Sequence, residues 1–415
     1  MLKKLILLSW IVIGCLSCTD KKQNSFLEDI IEASANIEKP KINSTNIPAY
    51  NGNMELQKIN FEPYDVEYSF EDLFQIENLF YLDDNASVNE ISKLVMEDDR
   101  IYILDSRYKK SLYCFEKDGT LTWQFNANDY QLNEINDFYI NPAREEIAIL
   151  TFKGILKLDL DGNFISNDYL GVFGPNFALV PNSDRAIIAT SRASFFADQL
   201  YKLITINSDH EIDGFNLPFT EKELEIRLKP RHFFSPSYKD EILYYEYFND
   251  TIYGITESNI FPKYQLNQRG GNQIAYLKSQ AELGKTEFEG SYFKGYNYVF
   301  ETDDFLIMGI EFGHRGDVYF NKNLNTSIFP YKKSIRFKDS NMLFIPKILF
   351  ADQEHIYCVL YPEQIHRLLK NKYGDDYKNK ASSQKEIYHQ IVTQTKENSK
   401  PVIVKIKIKD ELFKA

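Results

Sequence analysis

The sequence predicts an all-β fold, a six-bladed β-propeller with short helical insertions near its C-terminus. One observation is a four-strand unit whose last turn falls at Asp118, Asp161, Asp209 and Glu257, spacings of 43, 48 and 48 residues. Propeller blades repeat at roughly 40 to 50 residues. A second is composition: 31 Phe and 28 Tyr against 18 Gly, a strand-forming bias. The third is the punctuation, with Asp-Asp or Asp-Gly between apolar runs, the dipeptides that close tight hairpins.

The clearest unit reads Ile91–Met96, a turn at Asp98-Asp99, then Arg100–Asp105, Ser111–Phe115, the turn Lys117-Asp118-Gly119, and Thr120–Phe125. The second runs from Ile135 through Glu146–Leu150 and Ile155–Leu158 to Asp161-Gly162-Asn163. The third holds Asp184–Ala189 and Leu203–Asn207, turning at Ser208-Asp209; the fourth holds Asp240–Tyr245 and Asp250–Ile255. The fifth is interrupted by residues 267–290, with a short helix expected over Gln273–Leu283. It resumes at Tyr298–Thr302, Phe305–Ile310 and Asp317–Phe320.

The sixth unit opens with Ile348–Phe350 and Glu354–Leu360, then turns helical. One helix is expected over Gln364–Lys372. Ser383 with Glu386 forms a capping box for another reaching about Lys396. After Pro401 the last strand alternates, Val402, Val404, Ile406 and Ile408 on one face, Ile403, Lys405, Lys407 and Lys409 on the other. That lysine row predicts an outer edge, where charge blocks edge-to-edge pairing. Asp65–Phe70 is the early strand expected to help close the ring.

The N-terminus reads as an export signal. Lys3-Lys4 precede Leu5–Gly14, an apolar run of about ten residues that suits a signal peptide. A membrane-spanning helix needs about 20. Val12-Ile13-Gly14-Cys15 satisfies a lipobox, and Cys15-Leu16-Ser17-Cys18 does so apart from its first position. Lipid attachment is expected at Cys15, with Cys18 the alternative. The expected organisation is 1–18 signal and lipobox, 19–58 polar tether, and 59–415 propeller. Cys114 and Cys358 sit in apolar strands and read as small buried hydrophobes. A net charge of −12 argues against a nucleic-acid partner.

In this order, behind such a signal, four segments carry a likeness to a family. They are Glu71–Leu82, Asp99–Ser106 with Leu112–Gly119, Phe248–Tyr253 and Glu397–Val404. Over nearly the whole mature chain the sequence resembles the six-bladed β-propeller lipoproteins of Bacteroidetes. The resemblance implies the blade count; it supplies no activity and no catalytic residues.

Glu363-x-x-His366 and Glu386-x-x-His389 are half of a di-iron carboxylate pattern, which also needs glutamates from two further helices of a bundle. Solvated helix faces are the better expectation, with no metal and no cofactor. Arg315-Gly316-Asp317 is expected to be a tight turn. Arg231 and His232, flanked by aromatics, are candidate contacts on a propeller face, while His210, His314 and His355 are scattered. No nucleophile, phosphate-loop or zinc motif occurs, so no catalytic residue is assigned. The expected function is a lipid-anchored, non-enzymatic binding or scaffold module of the cell envelope, at the outer membrane and facing periplasm or exterior. Its expected partner is an envelope protein or glycan. The alternative is a glycoside hydrolase or lyase using carboxylates at the channel mouth, a chemistry that leaves no sequence motif.

Overall fold

The computed structural model describes residues 56–414 other than 61–67, 133, 152–153, 170–173, 191–200, 220–231, 237–239, 248, 268–292, 313, 331–334, 339–341, 343, 345–346 and 382–386. The chain starts with β1 (Gln57–Asn60), β2 (Tyr68–Ser69), a one-turn helix α1 (Phe70–Leu73) and β3 (Phe74–Tyr81). Blade 1 is β4 (Lys93–Glu97), β5 (Arg100–Asp105), β6 (Ser111–Glu116) and β7 (Leu121–Asn126). Blade 2 is β8 (Ile135–Asn141), β9 (Glu146–Thr151), β10 (Gly154–Asp159) and β11 (Phe164–Tyr169). Blade 3 is β12 (Asn176–Leu179), β13 (Ala186–Ala189), β14 (Tyr201–Ile206) and β15 (Ile212–Pro218).

Blade 4 is β16 (His232–Pro236), β17 (Ile242–Glu246), β18 (Thr251–Ile255) and β19 (Ile260–Asn267). Blade 5 is β20 (Phe293–Glu301), β21 (Phe305–Phe312), β22 (His314–Asn321) and β23 (Thr326–Ile328). A short β24 (Ile335–Arg336) then precedes β25 (Lys347–Ala351) and β26 (His355–Leu360). Three helices, α2 (Pro362–Tyr373), α3 (Tyr377–Ala381) and α4 (Ile387–Gln394), lead to β27 (Val402–Ile408). Each blade is an antiparallel meander, and these six sheets make the propeller.

The turns the sequence marks have a steric basis. Gly119 and Gly162 close their hairpins at φ +89° and +82°, a region open to glycine and costly for other residues. At Gly119 a side chain would also run into the Tyr81 carbonyl. The second strand of each blade is nearly all buried, as in β5, β9, β13, β17 and β26. It lies mid-blade with a neighbouring blade on each face. The core accordingly divides into six apolar layers, one at each blade interface. The thickest joins blades 5 and 6, where α2 and α4 add Ile365, Leu369, Ile387 and Ile391.

The ring closes with strands from both chain ends. Blade 6 has the order β25-β26-β27-β3, with Val402 opposite Tyr81 and Ile408 opposite Phe74. The last strand of the chain is therefore third in its blade, not the outer edge that its lysines suggested. Two features reconcile those lysines with an inner position. Lys407 reaches Glu354 at 3.2 Å, and the Lys405 ammonium lies 5.9 Å from the centre of the Tyr357 ring. The edge is β3, not the expected Asp65–Phe70 segment. Of that segment, Tyr68–Ser69 instead pairs in parallel with β24, and Phe70 starts α1. β1 joins β19 in parallel as a fifth strand of blade 4, so Gln57 and Lys58, read as tether, belong to a sheet.

Two further expectations are corrected. Arg315-Gly316-Asp317 lies inside β22 and is no turn. Its glycine is needed because a Cβ there would sit 2.5 Å from the Phe329 ring, a close approach that strand glycines often mark. His366 and His389 are not on solvated helix faces: both are 0% exposed. His366 Nδ1 is 2.8 Å from the Tyr377 hydroxyl and its Nε2 3.3 Å from Thr395 Oγ1. Cys114 and Cys358 are free and buried, in different layers of the core. Burial pushes the Cys114 thiol up to about 11. The Ser383–Glu386 capping box and the helix expected at Gln273–Leu283 lie outside the described residues.

Candidate functional site

The fold sorts its connections by end. The hairpins joining first to second strands, and third to fourth strands in blades 1, 2, 3, 4 and 5, are short, as at residues 98–99, 117–120 and 352–354. The long segments, 190–200, 219–231, 268–292, 329–346 and 361–401, either join a second strand to a third or deliver the chain to the start of the next innermost strand. The described strands that they connect end and begin on the side of the channel where the innermost strands start, the upper end below. Insertions that collect on one rim of a repeat fold commonly build its binding face.

An upper cavity of about 670 Å³ lies on the propeller axis. Every innermost strand contributes to it: Lys93, Asp137, Asn176, Phe233, Asn297 and Lys347 come from blades 1 to 6 in turn. Tyr361 and the first two turns of α2, through Gln364 and Leu368, form part of its rim. Its size matches small-molecule sites, as does a mainly apolar wall carrying a few polar groups.

The charged groups of this wall are mostly engaged. Lys93 Nζ donates to Asp137 Oδ1 and to the Phe138 carbonyl, both at 2.7 Å. That pair ties blade 1 to blade 2, with the Asp137 side chain only 7% exposed. The Tyr298 hydroxyl donates to Asp317 Oδ1 at 2.6 Å, and burial, with Asp317 beside it, keeps that phenol far above its ordinary pKa. The Tyr247 hydroxyl donates to Asn297 Oδ1 at 2.9 Å. Lys347 Nζ donates to the Ile91 carbonyl at 2.7 Å. The Ile91 amide in turn donates to the Tyr361 hydroxyl at 3.3 Å.

A second cavity, of about 720 Å³, opens at the lower end and is lined by Glu97, Tyr139, Glu241 and Asp352. Burial, reinforced by Asp98, raises the Glu97 carboxyl above its ordinary value. Behind this mouth Glu301 bridges Lys263 at 2.6 Å and Lys322 at 2.9 Å, and Lys263 also pairs with Glu241. Burial works to raise the Glu301 pKa, but the two ammonium groups outweigh it and hold the carboxyl low.

Of the residues singled out from the sequence, His232 opens β16 opposite Glu246, on the innermost strand of blade 4. Arg231, Cys15 and Cys18 lie outside the described residues, as does the insertion from 268 to 290. Among the described residues no group of three or more His, Cys, Asp or Glu side chains is placed to hold a metal ion. No helix among them is long and apolar enough to cross a membrane. Sequence reasoning missed Lys93, Asp137 and Lys347. The available signal was a charge inside or at the start of a first blade strand, where a channel is the only nearby solvent.

A Bacteroides fragilis protein inferred to be exported has a similar structure, with TM-score 0.66, 15% identity, and coverage of 86% of this chain and 100% of its own. At that identity the likeness is one of fold. More distant are apo AztD from Citrobacter koseri, at TM-score 0.38, 10% identity, and 69% and 87% coverage of the two chains, and the Neurospora crassa Pan2 WD40 domain, at 0.36, 8%, 71% and 83%. No curated protein sequence matches the chain. Residues 82–407 match a family described as a domain of unknown function, DUF4934, and the chain belongs to that family.

Proposed function

We propose that this protein is a non-enzymatic binding or scaffold propeller of the bacterial cell envelope, taking a glycan or an envelope protein at its upper cavity. The observation that carries the reading is the state of that cavity's carboxylates. Asp137 is paired with Lys93, and Asp317 accepts from a phenol. A glycosidase needs one carboxyl poised as acid and a second as base or nucleophile, whereas these two carboxylates hold blades and strands together. Amides and aromatic rings make up much of the rest of the wall, as in sites that recognise without reacting.

The proposed location follows from the N-terminal signal: lipid on Cys15, or on Cys18, holds the domain at a membrane, the outer one, facing periplasm or exterior. Labelling cells with a clickable fatty acid tests the anchor. Labelling lost when both cysteines become serine supports it, and undiminished labelling refutes it. For the binding reading, purified protein is applied to glycan arrays and used to capture partners from envelope extracts. Retention that weakens with Gln364→Ala and Leu368→Ala, two exposed positions on that rim, supports the upper rim as the site.

The second reading is a carbohydrate-active enzyme working at the lower mouth. It is favoured by Glu97, whose raised pKa is what a general acid requires, with Glu241 and Asp352 lining the same opening. Release of reducing ends or unsaturated products from a polysaccharide panel, abolished by Glu97→Gln, would establish it over the binding reading.

A further inference from the structure

We propose that the upper cavity selects a sugar bearing a single carboxylate, which pairs with the Lys347 ammonium. This rests on the binding reading above and names the chemistry of its ligand.

Among the described residues lining that cavity, the charged ones are Lys93, Asp137, Lys347 and Asp317. Lys93 and Asp137 neutralise each other at 2.7 Å, and Asp317 is engaged by Tyr298. Lys347 differs. Its hydrogen bond goes to a neutral acceptor, the Ile91 carbonyl, and an ammonium has three protons to donate. The carboxylate it meets is Glu90 at 4.0 Å, beyond hydrogen-bond distance, and Glu90 also faces Arg107 at 3.7 Å. Protein atoms crowd the amine enough to lower its pKa, yet 43% of the side chain is open. A recessed cation that solvent still reaches is a docking point for an anion entering the cavity. A carboxylate there gains a charge-assisted bond in a setting drier than bulk water.

The rest of the wall describes the rest of the ligand. Asn136, Asn176 and Asn297 present amides from the innermost strands of blades 2, 3 and 5, and Phe233 and Tyr361 present rings. Amides match hydroxyls, and rings offer an apolar face to the C–H face of a pyranose. The whole-protein charge limits the anion count, since a body of −12 repels extended polyanions. A short oligosaccharide ending in one uronic-acid unit meets all three conditions.

The test uses the full chain in calorimetric titrations against uronic-acid-terminated disaccharides, their methyl esters and their neutral parent sugars. The acid should bind about tenfold more tightly than its ester, a difference of about 1.4 kcal/mol. Lys347→Met should erase that preference and Lys347→Arg should keep it. The acid-to-ester comparison in unaltered protein holds even if a Lys347 variant folds poorly. Equal affinity for acid and ester overturns the inference while leaving glycan binding in place. Failure of every sugar overturns the acidic-sugar assignment, and the broader binding reading is then decided by envelope capture. Tight binding of a peptide carboxylate with no sugar bound also refutes it.

Discussion

Ending the chain after Asn398 removes β27, and its position in blade 6 sets the expected damage. Val402, Ile403, Val404 and Ile406 are each 0% exposed, Ile408 is 6% and Phe413 5%. At about 2 kcal/mol for each buried side chain, their loss is on the order of 12 kcal/mol. A typical domain is stable by only about 5–15 kcal/mol. The deletion also strips hydrogen-bond partners from β26 on one side and β3 on the other, leaving two raw edges. The truncated chain should therefore fail to form a propeller, seen as aggregation on size-exclusion chromatography and loss of a cooperative melt by circular dichroism. A milder variant grades the argument. Ile406→Ala should cost about 2–5 kcal/mol, which for the roughly 280 residues the structure describes is a melting shift of roughly 3–9 °C. A truncated protein that stays monomeric and melts at the unaltered temperature would refute the closure described for blade 6.

Replacing Gly119 with Ala should destabilise the protein by about 1–3 kcal/mol, because positive φ is strained for alanine and Tyr81 occupies the space its Cβ needs; chemical denaturation measures it. Lys93→Met should cost about 3–5 kcal/mol by leaving Asp137 buried in blade 2 without its cation, and adding Asp137→Leu should restore much of that loss in the same assay. The helical segment should loosen in acid. Burial lowers the pKa of His366 and of His389, with Lys378 and Lys372 respectively adding to it. Both are thus neutral when folded, and their contribution is complete above the unfolded value of about 6.5 and lost as pH falls through the lowered folded values. Hydrogen-exchange protection in α2 and α4, taken relative to the intrinsic rate at each pH, should fall over that descent, and His366→Gln with His389→Gln should flatten the dependence.

The blades were legible because their strands are short, bounded by turn dipeptides, and buried on both faces, so that composition and punctuation both point to them. What was not legible depended on packing between distant segments. β27 alternates lysine with valine and isoleucine, which by itself suits an edge; only pairing with β3, more than 300 residues earlier, makes it internal. Gly316 suggested a turn because glycine permits one, whereas the structure uses its missing side chain to admit Phe329. The histidines of α2 and α4 sit at helical spacing from glutamates, and nothing local tells which side of so short a helix meets the core. The cavity residues are hardest of all. Asn136, Asn176 and Asn297 lie in three blades and share one cavity only because the blades are arranged around a common axis.

The pairing of β27 with β3 also imposes a timetable. β3 is among the earliest structured segments to be synthesised and its partner is among the last, with Tyr81 opposite Val402. At about 5–20 residues per second, the wait is on the order of 15–65 s. Throughout it, β3 has no neighbour to bond, and the layer between blades 6 and 1 stands open on one side. Blades 1 to 5 can each form from contiguous sequence as they emerge, so a nearly complete but unclosed arc precedes the native ring. Such an arc has free strand edges at both ends, the arrangement from which two chains can exchange strands. A slow final step and concentration-dependent dimers during refolding are thus built into how this molecule is wired.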